Sequence, residues 1–106
     1  MVIRSWEGLS RPGAATEYFT YLTEAVIPAI RKVPGNQGVQ VLRGAGTASD
    51  SFMVLTFWSD VASIEAFAGP DAEHAVVPPE ARALLAAFDA RARHFDLVFE
   101  QRTEPC

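Results

Sequence analysis

Four stretches of the chain are typical of β-strands, either because β-branched and aromatic residues gather there or because hydrophobic and polar residues alternate. The stretches cover residues 2–9, 39–42, 51–58 and 94–100. A three-to-four-residue period separates the first two and predicts an amphipathic helix over residues 13–32, with a kink or break at Pro28. The apolar positions of this helix are Ala15, Phe19, Leu22, Val26 and Ile30.

Two further helical segments are predicted in the second half of the chain. Ser59 and Asp60 are suitable N-cap residues for a helix that Gly69 and Pro70 terminate. Residues 71–79 form an irregular bridge, and helical spacing resumes over residues 80–90. On the last strand, Phe95 and its apolar neighbours at positions 97 and 99 are expected to pack on the helices.

The order strand, helix, strand, strand, helical region, strand predicts an α+β fold of the ferredoxin-like βαββαβ type. We expect a four-stranded antiparallel sheet with its helices on one face, in a single domain spanning residues 1–106 with a tail from residue 100. The pattern of the first strand does not indicate which of its two faces points inward. Val2, Arg4 and Trp6 share one side, and the other side is equally mixed.

The stretch of residues 51–58 is apolar on both faces. One face carries Phe52, Val54 and Trp58, while Met53, Leu55 and Phe57 lie on the other. The helices of so short a chain can cover only one face, and the second would remain an exposed apolar patch. This pattern predicts a homodimer in which a second copy covers that face, with the functional cavity in the space beside it.

Composition argues against several classes of partner. Of 106 residues, 49% are hydrophobic and 21% charged, and the net charge of −4 with nine scattered Lys and Arg residues disfavours nucleic acids and anionic membranes. No apolar run approaches the ~20 residues of a membrane helix, and signal-peptide features are absent, so a cytoplasmic location is expected. The single cysteine, Cys106, excludes an intrachain disulfide and is expected to be a free thiol.

Three segments resemble a known family. These are VLTFWSDVASIEAFAG, HAVVPPEARALL and RHFDLVFE. They are similar to the antibiotic biosynthesis monooxygenase family of the dimeric α/β barrel superfamily, and the resemblance extends over residues 2–100. It implies the fold and the dimer, and an enzyme that either uses molecular oxygen on polyketide phenols or quinols without a cofactor, or binds and degrades heme.

The resemblance also bears on heme. Similar heme-degrading proteins carry a ligand histidine in the second helical region, where His74 is the candidate in this chain. They also carry an asparagine on the first strand and a tryptophan upstream of the histidine. This chain matches neither, since Trp6 and its neighbours occupy the strand and Ile64 or Phe67 stands upstream.

Three residues are candidates for proton transfer. His94 and Asp96 share a face of the last strand, and a histidine oriented by a carboxylate or by a group on a neighbouring strand is a competent general base. His74 lies in the bridge, where loops commonly present functional groups. The alternative is a surface histidine that caps a turn for His74, and a polar rim of the dimer interface for His94 and Asp96. Two histidines twenty residues apart give no metal-ligand spacing, so no metal is expected.

A second group of residues is suited to an aromatic ligand. Aromatic and apolar side chains would keep the cavity dry, and two arginines could hold a phenolate or carboxylate. These residues are Trp58, Trp6, Phe52, Val54, Arg43 and Arg4. The alternative is packing in the dimer interface or the core for the aromatic residues, and solvated surface positions for the arginines. Tyr18 and Tyr21 are interpreted as packing residues with hydrated hydroxyls.

The function predicted from these features is a cofactor-independent monooxygenase acting on a small aromatic substrate. His94 or His74 would remove a proton, and the resulting anion would react with oxygen in a dry cavity. A heme-binding or heme-degrading protein with His74 as axial ligand remains one alternative. Because the chain has no tight catalytic constellation, a non-enzymatic dimer that binds a small ligand is another.

Overall fold

The computed structural model describes residues 1–103, which form an antiparallel β-sheet with helices on one face. Cys106, predicted to be a free thiol, lies outside the described residues. The strands are β1 (Val2–Ser10), β2 (Asn36–Arg43), β3 (Ser51–Trp58), β4 (Leu85–Phe88) and β5 (Arg93–Asp96). The helices are α1 (Ala15–Tyr21), a π-helical turn (Leu22–Val26), α2 (Ile27–Arg31), a short 3-10 turn (Gly46–Ala48), α3 (Val61–Ala68) and α4 (Pro79–Leu84).

The sheet has the strand order β2-β3-β1-β4, and β5 also pairs with β1. β4 pairs with residues 8–10 of β1 and β5 with residues 2–5, so the two short strands share one edge. This arrangement confirms the predicted ferredoxin-like fold. The fourth position of the sheet is filled by two strands instead of one, because residues 89–92 interrupt the pairing.

The helix predicted over residues 80–90 is wrong beyond Leu84, where α4 gives way to β4. The alanines and leucines of this segment favour a helix locally. The edge of β1 offers unpaired backbone groups, however, and pairing with them satisfies the backbone of residues 85–88. The last strand is also shorter than predicted, since β5 ends at Asp96.

Alternation along the strands settles which side chains face the helices. Val2 and Arg4 are buried on that side of β1, opposite Trp58 and Thr56 of β3. The expectation that Phe95 packs on the helices is wrong: its side chain is 48% exposed. The reason is the register, which pairs His94 with Arg4 and therefore turns the Phe95 side chain to the uncovered face.

The first helical region runs from Ala15 to Arg31 with helical backbone angles at each junction. The disturbance predicted at Pro28 takes the form of the π turn that precedes it, in which the Ile27 N–H donates to the Leu22 carbonyl. α3 begins as predicted, with the Asp60 side chain accepting from the Ser63 N–H at 2.9 Å. No helix within residues 1–103 is long and apolar enough to cross a membrane.

The buried residues form two clusters between the sheet and the helices. The first contains Ala15, Tyr18, Leu22, Phe52, Val54, Ala75, Val77, Ala81 and Leu85. The second contains Val2, Ile30, Trp58 and Ile64. Residues of both clusters line the cavity described below.

Candidate active site

A partly open cavity of about 70 Å³ lies between the sheet and its helices. The wall is formed by Arg4, Trp6, Tyr18, Tyr21, Leu22, Val26, Ile30, Val54, Thr56, Phe67, Val76, Val77, Pro78 and Ala81. Val76, whose side chain is exposed, marks the mouth. The predicted position beside the uncovered face is therefore wrong for this cavity. The helices roof the face that carries Val54 and Thr56 without filling the space above it.

Arg4 supplies the positive charge of the cavity. The residue is only 4% exposed, and its guanidinium donates to the Ala72 carbonyl, to the His74 carbonyl at 2.6 Å and to His94 Nε2 at 3.1 Å. Within residues 1–103, no carboxylate lies in hydrogen-bond contact with it. Burial lowers the pKa of Arg4 to about 10, and the charge of Asp71 opposes this shift. Arg4 is thus a cation at neutral pH, without a directly bonded counter-ion.

His94 holds Arg4 from the neighbouring strand. A guanidinium can only donate, so Nε2 of His94 must accept and the imidazole must be neutral with its proton on Nδ1. Burial, and then the charge of Arg4, lower the pKa of His94. Asp96 lies on the same strand face but is exposed, and among the described residues the two side chains form no hydrogen bond. The partner of His94 is therefore Arg4.

His74 contributes its backbone to this arrangement. Its carbonyl accepts from Arg4, and the residue pairs with Arg91 in an isolated β-bridge. The His74 side chain is exposed and does not line the cavity, contrary to the expected projection into it. The His74 carbonyl is turned toward Arg4, and the His74 side chain therefore lies on the outside. The two histidines meet at Arg4, one through its ring and the other through its carbonyl.

Three of the six predicted ligand-binding residues line the cavity: Arg4, Trp6 and Val54. The Trp6 Nε1–H donates to the Asp89 carbonyl at 2.9 Å. Gly8 makes room for the indole, because a Cβ at this position would lie 2.8 Å from the ring of Trp6. The position of Trp6 is therefore set by both the hydrogen bond and the packing.

The other three predicted ligand-binding residues lie elsewhere. Trp58 is 0% and Phe52 1% exposed, and both belong to the packed core. Arg43 is exposed and lies over the Phe52 ring at 5.5 Å. Trp58 and Phe52 are packed in the core and Arg43 lies at the surface, so none of the three contributes to the cavity wall.

Tyr18, Tyr21, Thr56 and Phe67 line the cavity but were not among the predicted binding residues. Helical spacing places the two tyrosines beside the apolar stripe but cannot distinguish packing from lining. Thr56 did carry a signal, because it is the polar exception on an apolar strand face. Its hydroxyl accepts from the Trp58 Nε1–H at 2.7 Å.

The cavity as arranged here does not fit a heme. A cavity of roughly 150 Å³ holds a benzene molecule, and about 70 Å³ is far too small for a porphyrin. Neither His74 nor His94 lines it. A single aromatic ring also requires a wider cavity than this one.

Comparisons with known proteins agree with this fold. Residues 9–79 match the sequence model of the antibiotic biosynthesis monooxygenase family. No protein of curated function matches the sequence.

Solved structures with the same fold span nearly the whole chain. SnoaB, a cofactor-independent oxygenase from Streptomyces nogalater, is 19% identical with a TM-score of 0.72, covering 93% of this chain and 94% of its own. MhuD, a heme-degrader from Mycobacterium tuberculosis with two hemes bound in its active site, is 20% identical with a TM-score of 0.70, covering 96% and 100%. A protein from Shewanella oneidensis is 16% identical with a TM-score of 0.69, covering 89% of each chain.

Proposed function

The chain belongs to the antibiotic biosynthesis monooxygenase family, and from this premise we propose that it oxygenates a small phenol, quinol or polyketide-like aromatic without a cofactor. The observation that carries the proposal is Arg4, a buried cation at the wall of a largely apolar cavity, to which no carboxylate of residues 1–103 is directly bonded. An aromatic anion complements both features. SnoaB, a cofactor-independent oxygenase with the same fold, supports the reaction class.

In this reaction the substrate supplies the electrons. In the keto tautomer of the substrate, removal of a proton from a ring CH₂ group produces the phenolate, and Arg4 would hold the phenolate oxygen and stabilise its negative charge. The anion reduces molecular oxygen and forms a C–O bond. Cleavage of the O–O bond then converts a CH₂ group to a carbonyl, and the second oxygen atom leaves as water. Trp6, Val54 and the other apolar wall residues would exclude bulk water from the anion.

His94 is the proposed proton acceptor. In the structure its Nε2 is occupied by Arg4 at 3.1 Å. Because His94 does not itself line the cavity, the bound substrate must first draw the Arg4 guanidinium away from Nε2, which can then accept the substrate proton. His74 and Asp96 receive no catalytic step, because both side chains are exposed and, of the three candidate proton-transfer side chains within residues 1–103, only the imidazole of His94 is in contact with the Arg4 guanidinium.

The active form proposed here is a homodimer. An apolar surface remains on the sheet face away from the helices, formed by Ile3, Leu9, Leu42, Met53, Leu55, Phe57 and Phe95. Leu9, Leu42 and Phe95 are each more than 40% exposed. A second copy would cover this surface, which is henceforth called the outer face.

Oxygen consumption with a panel of phenols, hydroquinones and anthrones tests the proposal. We expect Arg4→Gln to lower kcat/KM by roughly 100-fold or more, because an anion-stabilising group is lost. Arg4→Lys should retain part of the activity, and Arg43→Gln serves as the matched control because Arg43 lies outside the cavity.

Two outcomes would contradict the proposal. Unchanged oxygen uptake in Arg4→Gln would exclude Arg4 as the anion-binding group. Ligand binding without uptake for every compound in the panel would favour the non-enzymatic, ligand-binding dimer instead.

A further inference from the structure

Tyr18 is a buried residue with a hydrogen-bonding group that the protein leaves unused. The residue is 1% exposed, yet its hydroxyl forms no hydrogen bond with any residue of the described chain. Among the described residues, no completely enclosed polar side-chain atom lacks a hydrogen-bond partner. The Tyr18 hydroxyl is therefore not sealed into the core. Tyr18 lines the cavity, which is the space available to this hydroxyl.

Tyr18 and Arg4 lie beside different positions of β3. The Tyr18 ring contacts Phe52 edge-on, with ring centroids 5.1 Å apart. Arg4 is paired with Thr56, four residues further along the same strand. At about 3.3 Å per residue, these two strand positions are about 13 Å apart. Val54 and the indole of Trp6 line the wall between them.

The cavity consequently has two polar ends and an apolar middle. Arg4 and Thr56 form a cationic end, and Tyr18 forms an uncharged hydroxyl end. Burial raises the pKa of Tyr18, with a further contribution from Tyr21, so its hydroxyl keeps its proton at neutral pH and can donate. A buried donor that is left without a partner rejects ligands that cannot satisfy it.

We infer that the Tyr18 hydroxyl is a ligand-recognition group that selects aromatic anions with a second oxygen on the opposite side of the ring. The inference rests on the proposed use of the cavity for an aromatic substrate and narrows that substrate to a ring oxygenated at both ends. The anionic oxygen binds at Arg4, and the distal oxygen accepts from Tyr18.

The test compares 4-hydroxybenzoate with benzoate, two ligands that differ only in the distal oxygen. Binding is followed by NMR titration without turnover, in the wild type, in Tyr18→Phe and in the control variant Thr20→Val. We expect the wild type to bind 4-hydroxybenzoate about 10-fold more tightly, the value of one hydrogen bond to a buried donor. Tyr18→Phe should lower this preference to less than about twofold while leaving benzoate affinity unchanged.

Two controls separate recognition from structure. Tyr18→Phe should not lower the melting temperature, because the deleted hydroxyl has no protein partner. Thr20 is exposed on the same helix and lies outside the cavity wall, so Thr20→Val should keep the wild-type preference. A wild type without preference, or a preference retained in Tyr18→Phe, would overturn the inference.

These measurements are independent of catalysis. A preference lost in Tyr18→Phe alongside absent oxygen uptake would support the recognition role and contradict the oxygenase. Oxygen uptake that depends on Arg4 but not on the distal oxygen of the substrate would support the oxygenase and contradict the recognition role of Tyr18.

Discussion

Arg4 is held by acceptors that do not neutralise it. Two backbone carbonyls and the Nε2 atom of His94 accept from its guanidinium. A buried arginine is more commonly paired with a carboxylate, which would cancel its charge. In this chain the charge remains available to a ligand. Its orientation depends on His94 staying neutral, since a protonated imidazole could not accept from the guanidinium.

The pH dependence of stability tests this pairing. Because the folded-state pKa of His94 lies below the unfolded value of about 6.5, the folded protein binds fewer protons between the two values. Stability therefore rises with pH through this window. The contribution of neutral His94 to the free energy of unfolding is complete above its unfolded-state pKa and is lost as the pH falls through its folded-state pKa.

We expect the wild-type melting temperature to fall more between pH 7.5 and pH 5 than that of His94→Gln. Glutamine offers a carbonyl oxygen to Arg4 and does not titrate. His74→Gln should keep the wild-type pH dependence, because the His74 side chain is exposed and outside the Arg4 contact. Parallel pH profiles for the wild type and His94→Gln would contradict the neutral-imidazole assignment.

The bridge of residues 71–78 is the element most dependent on this contact. It contributes Val76, Val77 and Pro78 to the cavity wall and is tied to the sheet by Arg4 on the inside. On the outside, Arg91 pairs with Asp71 at 3.0 Å and with Glu73 at 3.1 Å. Exposed ion pairs contribute little to the free energy of unfolding. Buried carbonyls that lose their hydrogen-bond donor lower it much more. Arg4 should therefore be the stronger attachment.

Hydrogen exchange distinguishes the two attachments. In Arg4→Gln we expect amides of residues 71–78 to exchange roughly 10-fold faster or more, because local opening no longer breaks the Arg4 bonds to Ala72 and His74. Arg91→Gln is the matched surface variant and should change exchange by less than about threefold. Equal effects of the two substitutions, or protection unchanged in Arg4→Gln, would show that the bridge is held by other contacts.

The elements differ in how well local sequence determined them. β3 could be predicted because its residue types and its flanking turns both indicate a strand. α3 could be predicted because Asp60 caps its start. Residues 85–88 were not, because the free edge of β1 overrides their local helical preference. The orientation of the His94 side chain toward the helices could not be predicted either, since it depends on the pairing of His94 with Arg4, which is distant in the sequence.

The same limit applies to the candidate site. Arg4 and Trp6 could be identified because charge and aromatic character on a strand suggest a ligand, and Val54 because it lies on an apolar face of β3. Tyr18 could not, because the sequence places it on the apolar side of α1 without indicating whether its hydroxyl is satisfied. Only the packing of the helices on the sheet reveals that difference.

At the scale of the whole molecule, the helices cover one side of the sheet and leave the outer face apolar. β3 shows the asymmetry most clearly, since its residues alternate between buried and half-buried along its entire length. Leu55 lies near the middle of the outer face, paired with Ser5 of β1 and Gln40 of β2. A surface of this kind in water favours association with a complementary surface, and a second copy provides one.

A charge at the centre of the outer face tests the homodimer. We expect the wild type to sediment at twice the monomer mass and Leu55→Glu to sediment as a monomer, because dimerisation would bury an unpaired carboxylate. Val61→Glu is the matched control, since Val61 is an exposed apolar residue of α3, on the helix-covered side of the sheet. Circular dichroism should show both variants folded, because neither position belongs to the buried clusters. A monomeric wild type, or a dimer that persists unchanged in Leu55→Glu, would mean that the outer face is not the dimer interface, and the half-buried residues of β3 would then need another cover.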